Sequence, residues 1–281
     1  GIHTNTFGEN VSNPSSFNGD LIQLFYQNAG YYPVITSAVN SRAKPSWCDK
    51  QQKRADRPGW CNGGIPQNAD LARHLSKLKQ DVIHAMPDPD YNGFGVFDFE
   101  SWQPIWEWNG CTGSHAESIP YCNASFARVR EMQPWLNESA VAVAAEKEWE
   151  MAAREFMGQT LAVAKATRPK ATWGFYDYPS CGDAAGEYDG ADVMCPTRMH
   201  VGNSKLAWMF EASDALFPSP YLISTNDTYN RGFLKQPMRE AKRLAPSKPV
   251  YYYMWYEFLH SGVVTTFPPE SRPCQGRTQP H

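Results

Sequence analysis

Two carboxylates, Asp98 and Glu100, sit two residues apart at the end of the apolar run Gly93-Phe-Gly-Val-Phe-Asp-Phe-Glu-Ser-Trp. Side chains two apart in a strand share a face, with Cα atoms separated by roughly 6.6 Å. Repulsion and partial burial raise the pKa of one member of such a pair, which stays protonated as a general acid. The other remains charged and can stabilise a developing cation. Glycoside hydrolysis needs that division of labour. A D-x-E pair alone reads more readily as a solvated acidic loop after a strand, so its surroundings decide. Phe97, Phe99, Trp102, Trp106 and Trp108 flank the acids. Trp102 is the expected stacking surface for a sugar ring. Phe97 and Phe99 point opposite to the acids and are expected in the core.

Other constellations carry less. Asp88-Pro-Asp90-Tyr-Asn92-Gly93 opens like a calcium loop, but its twelfth position is Phe99 and a strand follows in place of a helix. It reads as a helix-to-strand turn. The seven histidines form no H-E-x-x-H, no serine lies in G-x-S-x-G, and no C-x-x-C cluster exists. No metal and no organic cofactor is expected. Lys50, Lys53, Arg54 and Arg57 could attract an acidic polysaccharide or be a solvated loop. A net charge of −3 excludes a broad basic face for nucleic acid. No apolar run approaches the ~18 residues of a membrane span.

Alternating strands and helices must position the acids. Short apolar runs predict strands at Leu21–Tyr26, Phe94–Phe99, Thr172–Tyr178, Leu216–Ile223 and Val250–Trp255. Asn68 can cap a helix carrying Leu71, Leu75, Leu78, Val82 and Met86 on one face. A longer helix is predicted from Ser139 to Arg168, stopped by Pro169, with Trp149, Phe156 and Val163 at seven-residue spacing. Further helices are predicted over Lys205–Ser213 and Asn230–Leu244. Strand-helix alternation argues for an α/β protein with parallel strands, in which a barrel collects its working residues at the C-terminal strand ends. A doubly wound sheet is the alternative, but no Gly-rich phosphate turn follows a strand.

Six of the seven cysteines fall into local pairs, Cys48 with Cys61, Cys111 with Cys122 and Cys181 with Cys195. This pattern suggests stapled loops in an oxidising compartment. Cys181 follows a strand and could pose as a nucleophile, but its evident partner favours a disulfide. Four sequons, at Asn10, Asn123, Asn137 and Asn226, point the same way. A secreted protein, extracellular or lysosomal, is expected.

Four segments in order resemble the hyaluronidase family, glycoside hydrolase family 56. They are Asn62-Gly-Gly-Ile-Pro-Gln-Asn, Gly95-Val-Phe-Asp-Phe-Glu-Ser-Trp-Gln-Pro, Trp173-Gly-Phe-Tyr-Asp-Tyr-Pro-Ser-Cys and Leu216-Phe-Pro-Ser-Pro-Tyr. The resemblance runs from about Phe17 to Trp255. It implies a (β/α) TIM-like barrel, one catalytic domain over 1–281 with an irregular tail from 257 to 281. It also implies endo-hydrolysis of β-1,4 N-acetylhexosaminide bonds in hyaluronan, and in chondroitin. Configuration is retained because the substrate's own acetamido oxygen attacks the anomeric carbon. Carried over, Glu100 is acid and then base, and Asp98 orients the acetamido group. Tyr176 and Tyr221 match tyrosines near the reacting sugar, while Tyr26 and Tyr253 are candidates for groove contacts. Core packing is the alternative for all four.

Three departures bear on this reading. Gln103 stands where the family usually has Arg, which removes a cation beside the acids. Ser180 occupies a position often held by Asp. The family's first strand, with a cysteine, and its last helix and strand have no counterpart here, so an incomplete barrel is expected, with Cys274 as the partner of the missing cysteine. A non-catalytic glycosaminoglycan-binding relative is therefore the second hypothesis. A chitinase-like glycosidase, which also uses acids two apart, is the third.

Overall fold

The computed structural model describes residues 19, 21–37, 48, 59–113, 115–182, 195–222 and 227–254. Asn10, Asn226, Cys274, the four basic residues from Lys50 to Arg57 and the tail from 257 lie outside them. So do the expected strand ends at Ile223 and Trp255. The chain divides into two compact units, one of residues 1–175 and 205–215, the other of residues 176–204 and 216–281.

The first unit is built on a parallel sheet of three strands, β1 (Ile22–Tyr26), β4 (Phe94–Asp98) and β5 (Thr172–Phe175), in the order β1-β4-β5. A short antiparallel pair, β2 (Val34–Ile35) and β3 (Trp60–Cys61), stands apart from it. β4 is central, and Gly95, Val96 and Phe97 are buried as a strand covered on both faces requires. Phe97 lies 5.5 Å from both Phe25 and Trp173, ring centre to ring centre, and 5.4 Å from Phe175. Gly95 makes room for this layer: a Cβ there would stand 2.3 Å from the Trp173 ring.

Three long helices belong to this unit, the last of which packs on β5. α1 (Leu71–Ala85) joins β3 to β4, while α2 (Pro120–Met132) and α3 (Glu138–Thr167) precede β5. α3 packs against α1, α2 and α5 (Ala207–Ala212). Its inward stripe includes Ala145, Trp149, Ala153, Phe156, Leu161 and Ala164. Of the expected heptad, Trp149 and Phe156 are buried, but Val163 is only half-buried and Leu161 and Ala164 replace it. On α1 the fully buried residues are His74, Leu78 and Val82, with Met86 closing the helix. Asp70, not Asn68, caps α1, accepting from the Arg73 amide at 3.0 Å. Asn68 instead ends a 3-10 turn and accepts from Arg128 Nε. The sequence reading did not anticipate α2, whose buried residues include both polar Ser125 and disulfide-bonded Cys122.

Asn62 ties the first loop to α1. Its side chain donates to the Tyr31 carbonyl at 2.5 Å and accepts from the Asp70 amide at 2.8 Å. Asn62, Gly63 and Gly64 all adopt positive φ, and a Cβ on Gly63 would meet the Asn68 backbone at 2.2 Å. The Asn62-Gly-Gly motif thus reflects a left-handed turn.

The second unit contains α4 (Thr197–Lys205, whose last residue belongs to the first unit) and α6 (Asp227–Leu244). Among the described residues its expected strands are single bridges, Tyr176 with Phe217 and Leu216 with Val250, both parallel. The prolines explain this: Pro218 and Pro220 offer no backbone N–H to a ladder. Asp177, at φ 72, turns the chain off strand geometry directly after Tyr176. The helix expected over Lys205–Ser213 is α5, Ala207–Ala212, and α4 precedes it with Leu206 between them. The described strands establish a mixed α/β protein with a parallel sheet.

The three cysteine pairs are disulfides, Cys48–Cys61, Cys111–Cys122 and Cys181–Cys195. No helix among the described residues is long and apolar enough to cross a membrane.

Candidate functional site

β4 ends at Asp98, and its neighbour in register on β1 is Tyr26. Residues paired in register across a parallel ladder share a face about 4.8 Å apart. Asp98 and Tyr26 are both half-buried at the C-terminal edge of the sheet. Phe99 turns inward, 4% exposed, with its ring 4.5 Å from Tyr32. Glu100 then emerges on the exposed side. Phe97 and Phe99 are buried, Asp98 is half-buried and Glu100 is exposed. Gln27, just past β1, donates to the Ser101 hydroxyl at 3.1 Å and ties the two strand ends together.

Glu100 has an unusual setting for an exposed residue. Its carboxyl is crowded by protein, and this burial raises its pKa above the usual carboxylate value. It makes no hydrogen bond among the described residues. The raised value comes from desolvation alone, so repulsion from Asp98, expected from the sequence, is not its cause.

Trp102 requires correction as a sugar platform. It is 2% exposed, stacks on Tyr32 at 4.9 Å and 6° between planes, and donates through Nε1 to the Pro33 carbonyl. An indole covered on its face and satisfied at its nitrogen has nothing to offer a ligand. Trp106 is likewise in the core, edge-on to Trp149 at 5.7 Å. Trp108 is half-buried. The backbone of Gln103 is fixed by Asn109, and its carbonyl accepts from Trp149 Nε1 at 3.0 Å.

The second unit gathers three of the expected tyrosines. Tyr176 and Tyr221 hydroxyls are 3.2 Å apart, and the Tyr253 ring stands edge-on to Tyr176 at 5.0 Å. Burial, and then the Tyr221 hydroxyl, hold the Tyr176 phenol far above its ordinary pKa, so it stays neutral and hydrogen-bonding. Ser219, which hydrogen-bonds to the Asp177 carboxylate, also borders Tyr176. Sequence reasoning missed Ser219 and Asp177. The signal was there in Pro218-Ser-Pro-Tyr, which places Ser219 two residues before Tyr221. A small cavity lined by Asp177, Ser180, Cys181 and Ser219 adjoins this network.

The segment that opens like a calcium loop is a turn, with the Asp88 carboxylate accepting from the Asp90 amide and Lys170 paired to Asp90 at 2.9 Å. No group of three or more acidic, histidine or cysteine side chains among the described residues could hold a metal. Asn123 and Asn137 both lie exposed, on α2 and at the start of α3.

A family model described as Hyaluronidase matches residues 1–266, and the chain belongs to that family. It is 35% identical over 248 residues to a hyaluronidase of Apis mellifera, covering 86% of this chain and 59% of the relative. It is 34% identical over 254 residues to hyaluronidase-1 of Bos taurus, covering 87% and 51%. The chain therefore spans a little over half the length of these curated relatives. Its fold matches the crystal structure of bee venom hyaluronidase with a TM-score of 0.68 at 31% identity, covering 86% of this chain and 69% of that one. The same enzyme in complex with a hyaluronic acid tetramer gives a TM-score of 0.69 at 30% identity, covering 87% and 70%.

Proposed function

We propose that this chain carries the catalytic residues of a retaining endo-β-N-acetylhexosaminidase that cleaves β-1,4 linkages of hyaluronan, and of chondroitin, on a (β/α) barrel scaffold. The observation that carries the proposal is Glu100, a carboxyl with a raised pKa and no hydrogen-bond partner among the described residues, placed beside Asp98 at the C-terminal edge of a parallel sheet. Family membership and the hyaluronic acid complex of a structural relative support the choice of polymer.

In this reading Glu100 gives its proton to the glycosidic oxygen as the bond to the anomeric carbon breaks. The acetamido oxygen of the same sugar attacks that carbon from the opposite face, closing a cyclic intermediate. Asp98 accepts a hydrogen bond from the acetamido N–H and offsets the positive charge that develops there. Glu100, now ionised, takes a proton from water as the water opens the intermediate, and two inversions give net retention. Neutral Tyr176 and Tyr221 hydrogen-bond sugar oxygens, and Tyr26 and Tyr253 are further candidates for substrate contact. No cofactor takes part. The compartment that fits three disulfides is extracellular or lysosomal.

The test is hyaluronan chain length on a gel, paired with a separate binding measurement. Glu100→Gln is expected to abolish shortening while binding and the circular dichroism spectrum persist. Full activity of that variant overturns the assignment of Glu100. Binding without shortening by the unaltered chain identifies the non-catalytic glycosaminoglycan-binding relative. Cleavage of chitin oligomers alone identifies the chitinase-like alternative.

A further inference from the structure

Two of the four sequons lie on described residues, and the structure treats them differently. Asn123 is the fourth residue of α2, next to disulfide-bonded Cys122, and its side-chain nitrogen already donates to the Glu117 carbonyl at 2.9 Å. Asn137 stands outside any helix, in extended backbone at φ −75° and ψ 165°, where the chain enters α3. Its side-chain oxygen accepts from the Ala140 amide at 2.9 Å. That single bond occupies the oxygen and leaves Nδ2, the atom to which a glycan attaches, without a hydrogen-bond partner among the described residues.

Two residues earlier lies Trp135. At 75% exposure it is the most exposed large hydrophobic side chain among the described residues. The Leu136 amide bonds back to the Gln133 carbonyl at 3.1 Å, so Pro134 and Trp135 form the corner of a reverse turn. Trp135 is exposed, Leu136 half-buried and Asn137 exposed. The indole and the carboxamide are thus both exposed to solvent and stand two residues apart in the chain. An indole is a poor surface residue because its broad apolar face is left in water. A pyranose ring has a face of C–H groups that matches it, the complement of the negative π face.

We propose that Asn137 is N-glycosylated in preference to Asn123, and that the first N-acetylglucosamine of its glycan packs on Trp135. The donor is a lipid-diphosphate-linked oligosaccharide. Asn137 Nδ2 bonds to C1 of the sugar, the bond from C1 to the diphosphate oxygen breaks, the lipid diphosphate leaves, and the amide loses one proton. The Oδ1 bond to Ala140 survives the reaction, so the cap of α3 and the glycan coexist on one side chain. The stacked sugar then covers the turn that starts the 30-residue helix on which the first unit packs.

Glycopeptide mapping of the chain passed through a eukaryotic secretory pathway is expected to find higher occupancy at Asn137 than at Asn123. Stability is then compared for the parent, Trp135→Ala, Ser139→Ala and the double variant. Ser139→Ala removes the sequon but keeps the Asn137 cap. Trp135→Ala is expected to lower Tm by about 2 °C in the glycosylated protein and to leave it unchanged in the Ser139→Ala background. Trimming the glycan to its first sugar is expected to keep the difference. An unmodified Asn137, or a Trp135→Ala shift of equal size in both backgrounds, overturns the proposal. None of these readouts involves hydrolysis, so their outcome is independent of the catalytic reading.

Discussion

Burial acts on two titratable groups of the first unit, His74 on α1 and Glu100 past β4, and leaves them in opposite conditions. His74 is fully buried, 4.2 Å from the Phe156 ring. Its Nδ1 accepts from the Tyr31 amide at 2.9 Å. The Thr160 hydroxyl donates to the Phe156 carbonyl at 2.7 Å, so its oxygen is left to accept from His74 Nε2 at 2.9 Å. Both ring nitrogens are matched, the proton must sit on Nε2, and burial lowers the pKa to about 3. Glu100 is also shifted toward neutrality by burial, but its carboxyl has no hydrogen-bond partner among the described residues. A shifted group with every partner in place is architecture, whereas one whose hydrogen bonds are unmet is available to a ligand.

The largest effect that sharpens this contrast is on activity. Glu100→Gln removes the transferable proton and changes little in volume. Hydrolysis is expected to fall by about 10²- to 10⁴-fold, with Tm unchanged within about a degree. A large loss of Tm would place Glu100 with His74 as a structural residue. The mirror experiment is His74→Ala. It deletes a packed ring, strands the Tyr31 amide and leaves a cavity, at about 3 kcal/mol. Thermal unfolding should drop by about 6–10 °C, and the pH profile of whatever activity remains should keep its shape. A displaced profile would mean that the imidazole reaches the chemistry after all.

The sequence showed Glu100 more clearly than His74, for a physical reason. Asp98 and Glu100 lie in a local alternation, and Phe97 and Phe99 fall in the core as that alternation demands. The parallel strands β1, β4 and β5 were legible as apolar runs, and α3 as a long helix ended before Pro169. His74 was invisible because its partners arrive from 43 and 86 residues away. The apolar-face reading of α1 placed Leu78, Val82 and Met86 correctly, but Leu71 and Leu75 are only half-buried and polar His74 takes the first buried position. Trp102 failed by the same logic: closeness in sequence to the acids suggested a sugar surface, but a carbonyl 69 residues away had already claimed its N–H. The bridges around Leu216 and Val250 read as strands because proline among apolar residues interrupts hydrogen bonding without changing the hydrophobic pattern.

The smallest of the expected effects separates the two groups by proton linkage. Above pH 6.5 the His74 imidazole is neutral in both the folded and the unfolded chain and contributes no pH dependence. Between that value and a folded pKa of about 3, the unfolded chain binds a proton that the folded one refuses. The stability due to neutral His74 is therefore complete at neutral pH and is lost as pH falls, by up to about 1.4 kcal/mol per unit. From pH 6.5 to 4.5 this amounts to about 2–3 kcal/mol. Glu100 has the opposite sign: its raised pKa favours the protonated, folded form, and that contribution is present in acid and lost as pH rises through the shifted value. Urea unfolding at a series of pH values measures both. His74→Gln, which keeps a donor and an acceptor but cannot titrate, should flatten the slope between pH 6.5 and 4.5, while Glu100→Gln should leave that slope in place. Equal slopes in the parent and His74→Gln would show that the imidazole is protonated inside the fold, and the contrast between the two groups would fail. An undiminished slope in the parent carries a cost in compartments near pH 4.5 that a neutral medium does not impose. The same titration therefore bears on whether an extracellular or a lysosomal setting suits this chain.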